Sequence, residues 1–298
     1  MRVIKSITTT DAILTSSNIV ENEYAAWASG TSYAVNAGVI YNHKIYTAIS
    51  AHTSSAANAP DLDPTKWLYV SYTNKYRMFD NVISNKSSRM GGITFTLTPS
   101  QAIDSLVFLN VNAGSIRVVM NDPLLGVIYD QTAILSGLSS ITDYFAYFFA
   151  ALGAPKTTAY FLNLPNSPTA TITVTIDSGS GLAEVGEVVY GLAKVIGRTN
   201  YGTQIGIKSY SRKEVDEFGN VTVVKRKNSK FCEYDIDIDN YNLADVQRFF
   251  MEIDSVPSVF IGALDMEELV VFGFYNDVQA TISFPTVSKC TLRVEGLI

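Results

Sequence analysis

Trp27, His43, His52 and Trp67 are the only tryptophans and histidines of the chain, and all four lie between residues 27 and 67. Imidazoles can move protons or hold metals, and flat rings can stack on the apolar face of a sugar. A Ser-His-Asp or Cys-His site would have to use His43 or His52 and bring its partners in from elsewhere. Polar turn histidines are the plainer reading, so no catalytic residue is expected. A module near the lower size limit for independent folding must use every large ring as core before it can offer one as a site.

Carboxylates are the other chemistry on view, because glycoside hydrolysis needs only two of them, roughly 5 to 10 Å apart. The visible clusters are Asp216 with Glu217, and Glu233, Asp235, Asp237 and Asp239. In the second cluster the acids alternate with Cys232, Tyr234, Ile236 and Ile238, so on a strand the two sets occupy opposite faces. Like charges in a row repel. Solvent with the nearby Lys225, Arg226, Lys227 and Lys230 could offset them, as could a subunit interface or a calcium ion. Asp235, Asp237, Asp239, Lys225, Arg226 and Lys227 are therefore the interface candidates. No metal site or cofactor is expected. Cys232 and Cys290 are too few and too far apart for zinc or a disulfide framework, and Gly191, Gly197, Gly202 and Gly206 fit no phosphate-binding loop.

The elements that must carry these residues read as mainly β. Residues 1–21 hold a lead-in strand and turns, and 22–72 a compact β-module of short bursts punctuated by Asn-His, Ala-Pro and Asp-Pro. Residues 73–200 carry longer alternating runs such as GITFTLTP, SIRVVMND and TATITVTID, with turn signals about every ten residues, the pattern of an antiparallel jelly-roll-like sandwich. One interruption, SSITDYFAYFFAALG, offers Ser140 as a helix cap and Gly153 as a stop, although its ring-dense middle could equally form a strand. Residues 201–298 hold a hairpin turning at Phe218-Gly219-Asn220 and a helix from Leu243 to Ile253, apolar at spacings of three and four. Closing strands PSVFIGAL, ELVVFGFY, VQATISF and CTLRVEGLI complete an α+β unit.

A composition of 47% hydrophobic and 17% charged residues leaves more apolar area than one subunit hides easily, so a homo-oligomer is expected. The net charge of −6 offers no general attraction for nucleic acid. No run is long and uncharged enough for a membrane span, and the start, MRVIKSITTTDAIL, lacks the apolar core of a signal peptide, which points to synthesis in a cytoplasm.

Trp27, Gly30, Tyr33, Gly38-Val39, Tyr46-Thr47-Ala48, Pro60 and Trp67 together resemble the chitin-binding-like modules of carbohydrate-binding families five and twelve. The resemblance implies sugar stacking, with Trp27 and Trp67 as module core and Tyr33, Tyr41, Tyr46 and His52 as candidate carbohydrate contacts. Where those modules place an exposed tryptophan or tyrosine just after Y-x-A, this chain has Ile49-Ser50-Ala51-His52. A second stretch, Trp67 through Thr73-Asn74-Lys75-Tyr76-Arg77-Met78-Phe79-Asp80, looks like a passage in tail and baseplate proteins of tailed bacteriophages, as does GEVVYGLAKVIGRTNYGTQIGIKSYSRKEVDEFGNV. That likeness implies a non-enzymatic virion subunit, assembled in the host cytoplasm, contacting itself, other tail proteins and host surface polysaccharide. The alternatives are a host-surface polysaccharide adhesin and a virion-borne glycan hydrolase.

Overall fold

The computed structural model describes residues 1–136, 155–264 and 266–297. The segment between Ser140 and Gly153, expected as a helix or a strand, lies outside them. The fold is mainly β, built from antiparallel sheets, with one α-helix among the described residues, Leu243–Glu252.

Three sheets stack on one another. A five-stranded sheet, ordered Gly126–Ile134, Ser115–Asp122, Thr171–Val185, Ser87–Leu97 and Leu14–Ser17, faces a three-stranded one of Ala159–Leu162, Ser105–Leu109 and Glu187–Gly191. Phe95, Phe108, Val118, Ile172, Val174 and Tyr190 fill the space between them. Alternation makes this possible: Leu106, Phe108 and Tyr190 point into the sandwich, while Val107, Leu109 and Val189 point the other way. That second face packs on Ile4, Val259, Ile261 and Phe272 of an eight-stranded sheet. The runs SLVFL and EVVYG are buried at every position because both of their faces are covered.

The far side of the eight-stranded sheet receives the helix, whose Val246 and Phe250 meet Tyr234, Ile236, Ile238 and Leu292. The alternation of acids and apolar residues in Asn228–Asp239 has its reason here, since Cys232, Tyr234, Ile236 and Ile238 are all buried. ELVVFGFY and VQATISF, expected as two strands, form one, Val270–Thr281, with a register shift between Tyr275 and Asp277. The Ser-Gly-Ser-Gly turn expected near residue 180 is likewise a bulge inside Thr171–Val185, where the pairing slips between Asp177 and Leu182. No helix among the described residues is long and apolar enough to cross a membrane.

The stretch read as one lead-in strand supplies two. Arg2–Lys5 lies inside the eight-stranded sheet between Ala193–Val195 and Ser258–Ile261, and Leu14–Ser17 pairs with Ser87–Leu97. The chain passes from sandwich to large sheet at Leu192, between Glu187–Gly191 and Ala193–Val195.

At the seam of these layers, Glu187 is buried, accepts the Asn81 backbone N–H and leaves Oε2 without a partner. It borders a cavity of about 60 Å³ shared with Thr9, Phe79 and Pro257. Burial pushes its carboxyl well above the usual range, helped by nearby Asp80. Asp80 is itself pushed up to about 6 by burial, against the hydrogen bonds it accepts from Val82 N and Asn85 Nδ2. A carboxyl with a raised folded pKa favours the fold most when protonated, and this contribution is lost as pH rises through the folded pKa. Glu187→Gln should therefore gain thermal stability over the parent as pH rises from about 4.3, the ordinary glutamate value, toward neutrality. Melting curves at a series of pH values check this, and a pH-independent difference would contradict it.

Candidate functional site

Residues 26–72 form a compact sub-structure of short elements. Gly38–Tyr41, Lys44–Ala48 and Trp67–Tyr72 make a three-stranded meander, and Ser32–Tyr33 pairs with His52–Thr53 beside it. The first hairpin turns through Asn42 and His43, both at positive φ, which is the backbone a two-residue loop needs to match strand twist. Gly38 lets the Tyr24 ring pack directly on the backbone, with its Cδ1 2.4 Å from where a Cβ would stand.

Val39, Tyr46, Ala48 and Trp67 are the core. Trp67 is 2% exposed, and its Nε1 donates to Asn58 O at 3.0 Å. Tyr33 and His52 stand edge-on to it, at centroid distances of 5.1 and 4.9 Å. The Tyr33 hydroxyl accepts from Ala28 N at 3.0 Å, and His52 Nδ1 donates to Ser50 O at 2.8 Å while its Nε2 is buried without a partner. Trp27 packs edge-on against Tyr41 at 5.2 Å, and its Nε1 is also buried and unpartnered.

The candidate contacts therefore fall in three places. Tyr33 and His52 join Trp67, Tyr41 joins Trp27, and Tyr46 lies in the core, 6% exposed. An aromatic flank open to solvent lies next to Tyr46. Tyr69, 47% exposed, meets the Tyr46 ring at 5.9 Å and the Tyr72 ring at 6.3 Å, and Lys44 Nζ lies 5.4 Å over Tyr72. Partial burial, with Tyr72, Asp80 and Tyr46 nearby, pushes the Tyr69 hydroxyl up to about 12, so it stays a neutral donor. Residues 26–68 match the description "Carbohydrate-binding module family 5/12".

The chain thus carries a carbohydrate-binding module, which fits contact with a glycan. No curated protein matches the chain. The sequence reading missed Tyr69 and Tyr72, although WLYVSY places Tyr69 two residues after a core tryptophan and so on the same face of a strand.

The module is also tied down. His43, at its hairpin tip, sets Nδ1 2.9 Å from Glu21 Oε1 and Nε2 2.9 Å from Asp11 Oδ2, and stacks on Tyr76 at 4.1 Å. Thr73 Oγ1 donates to the same Glu21 oxygen at 2.6 Å, Thr73 N to His43 O at 2.8 Å, and the Tyr76 hydroxyl donates to Asp11. These hydrogen bonds hold Asp11 below the usual carboxylate range. Asparagine tolerates the left-handed backbone of position 43, so His43→Asn removes the imidazole's contacts with Glu21, Asp11 and Tyr76 and keeps the turn, leaving the Thr73–Glu21 and Tyr76–Asp11 bonds. Both tryptophans lie in the module, and their fluorescence anisotropy should decay faster in this variant as the module gains independent motion. An unchanged decay would show that the clamp does not set its orientation.

Of the interface candidates, Asp235, Asp237 and Asp239 lie on the sheet face away from the helix. Lys225, Arg226 and Lys227 lie at the root of an exposed hairpin. The basic residues do not neutralise the acidic row within the chain. Glu233 is held by Arg293 at 3.1 Å, Asp237 lies opposite Arg198 and Lys289 in the ladder, and Lys227 Nζ donates to Ser84 Oγ at 2.6 Å. Among the described residues, no cluster of three or more His, Cys, Asp or Glu side chains could hold a metal.

Proposed function

We propose that the protein is a non-enzymatic structural subunit of a bacteriophage tail or baseplate, assembled in the host cytoplasm and carried in the virion. In this reading its module contacts host-surface polysaccharide. The observation that carries the glycan contact is the flank of Tyr69, exposed beside Tyr72 and backed by the buried Tyr46, on a module that matches a carbohydrate-binding family. A pyranose covers such a flank with its apolar face, and neutral hydroxyls with the Lys44 ammonium can meet its polar edge.

The self-associating part of the reading is supported by apolar side chains left in solvent on the body. Leu124, Leu125 and Val127 are exposed on the sandwich, and Val215, Phe218, Val221 and Val223 on the hairpin. The tail or baseplate assignment draws on the likeness of Trp67–Asp80 and of residues 186–221 to such proteins.

Pull-down on chitin and on purified host polysaccharides tests the glycan reading. Tyr69→Ala with Tyr72→Ala should lose most of the binding, by about 1–3 kcal/mol per ring if stacking resembles that of other flat ligands. Equal retention of the parent and this double variant on every polysaccharide would leave the module a purely architectural element. Mass spectrometry of purified virions tests the rest, and absence from particles would remove it.

A further inference from the structure

We propose that the seam between the sandwich and the eight-stranded sheet holds a hard cation of the calcium class, bound by Glu187 beside Asp80 and completed by hydroxyl oxygens and water. Glu187 is 1% exposed, and its Oε2 has no partner among the described residues. It borders the cavity of about 60 Å³ that the segments around residues 6–9, 79–81, 187–188 and 256–257 line. A single water takes roughly 10–15 Å³ of such space, so there is room for an ion with part of its hydration shell.

The lining is rich in uncommitted oxygen. Ser6 and Thr8 make no side-chain hydrogen bond among the described residues, and the Thr9 hydroxyl has one contact, at 2.8 Å, with the Tyr190 hydroxyl. Asn81, at a φ of 62°, gives its backbone N–H to Glu187, which sets Asp80 one residue from that bond. Asp80 accepts one hydrogen bond on each oxygen, from Val82 N and Asn85 Nδ2, and a carboxylate oxygen can accept two.

Charge selects the occupant. Two carboxyls share this seam, burial disfavours the charge on both, and neither has an ion-pair partner among the described residues. The charge of Arg77 reaches Asp80, but its Nε is donated to Tyr72 O at 3.2 Å. A proton would neutralise Glu187, yet a protonated Oε2 is a donor, and no protein acceptor lies within its reach. A divalent cation offsets both carboxyls and uses the free oxygen. Two carboxylates, with hydroxyls and water for the rest, suit calcium, which takes about six to eight oxygens in flexible geometry. Zinc favours nitrogen and sulfur, and magnesium demands a near-ideal octahedron. So few charged ligands place the affinity in the weak range, with a dissociation constant of about 0.1–1 mM. Bound there, the ion ties the connection between Arg2–Lys5 and Leu14–Ser17 to the segment by which the chain leaves the module.

Melting temperatures of the full chain at neutral pH, in calcium chloride and in sodium chloride of equal ionic strength, are compared for the parent, Glu187→Gln, Asp80→Asn and Asp237→Asn. Calcium at about ten times its dissociation constant should raise the parent's melting temperature by roughly 2–5 °C. Asp237→Asn, in the acidic row of the outer face, should respond like the parent, Asp80→Asn less, and Glu187→Gln not at all. Glu187→Gln is expected to be at least as stable as the parent in calcium-free buffer at this pH, so its lost response would not be a lost fold. Terbium, which replaces calcium and is excited through nearby tyrosine, gives a second reading, because the Tyr190 hydroxyl touches Thr9 in the cavity wall. Its emission should appear with the parent, fall on addition of calcium and be absent with Glu187→Gln. A calcium response that Glu187→Gln retains or Asp237→Asn loses places the ion elsewhere and overturns the assignment. A parent that does not respond to calcium overturns it as well, leaving a proton and water at Glu187.

Discussion

Replacing Trp67 by alanine should unfold the module while the stacked sheets stay folded. Trp67 is the largest side chain in a core of four fully buried residues, and its loss also strands the Asn58 carbonyl and the edges of Tyr33 and His52. Large-to-small changes of this kind cost about 3–5 kcal/mol. A unit of the module's size has a total stability of roughly 2–6 kcal/mol at typical values per residue, so the loss matches the whole. The measurement is direct, because the remaining tryptophan, Trp27, also lies in the module. Its emission should shift to that of a solvent-exposed indole, while most of the far-ultraviolet β signal remains. Native-like Trp27 emission in the variant would show that the module draws its stability from the body.

A second large effect is expected at Gly273. It sits in strand Val270–Thr281 between Ser258 on one side and Gly296 on the other, in the interior of the eight-stranded sheet. A methyl group there would stand 2.0 Å from Glu295 O and 2.8 Å from Gly296 Cα. Neither atom belongs to a flexible side chain, so relief requires the ladder itself to open. Gly273→Ala should therefore cost more than about 3 kcal/mol, at or beyond the upper end of ordinary overpacking. Urea denaturation followed at tyrosine wavelengths would read the loss, and a change under about 1 kcal/mol would mean that the sheet gives way locally at little cost.

Periodicity made much of this fold legible. The alternation of Glu233, Asp235, Asp237 and Asp239 with Cys232, Tyr234, Ile236 and Ile238 is a strand with one covered face, and the spacing of Val246 and Phe250 is a helix with one covered stripe. Layering was not legible, for a physical reason. SLVFL and SVFI show no alternation because both faces are buried, and nothing in such a run says which neighbours cover it. Bulges were hidden too: Ser178–Gly181 has a turn's composition, yet the opposing strand, with Gly91 and Gly92 at positive φ, absorbs it without reversing direction.

In the module, the resemblance of Trp27, Tyr33, Gly38-Val39, Tyr46-Thr47-Ala48 and Trp67 to a carbohydrate-binding family pointed to the aromatic framework, and residues 26–68 match that family. It could not say which rings keep a free flank, since Tyr46 and Tyr69 lie on the same face of adjacent strands, and only the end of the sheet leaves the second uncovered. The clamp on His43 was invisible for another reason. Asp11, Glu21 and Tyr76 are distant in sequence and converge only when the strands on either side of the module pair.

That pairing has a consequence of its own. Leu14–Ser17 and Ser87–Leu97 are neighbours in one sheet, and Asn18 is fastened across them, its N donating to Thr94 O and its Oδ1 accepting from Thr94 N. Between Glu21 and Thr73, which are joined by a hydrogen bond at 2.6 Å, the chain makes an excursion that departs from and returns to one place, while Ile19, Tyr76 and Met78 just outside it belong to the sandwich core. Such a cassette can be exchanged or shortened while the body keeps its ladder, so in the proposed reading lineages could swap the glycan-contacting part to follow changing surfaces and leave the scaffold in place.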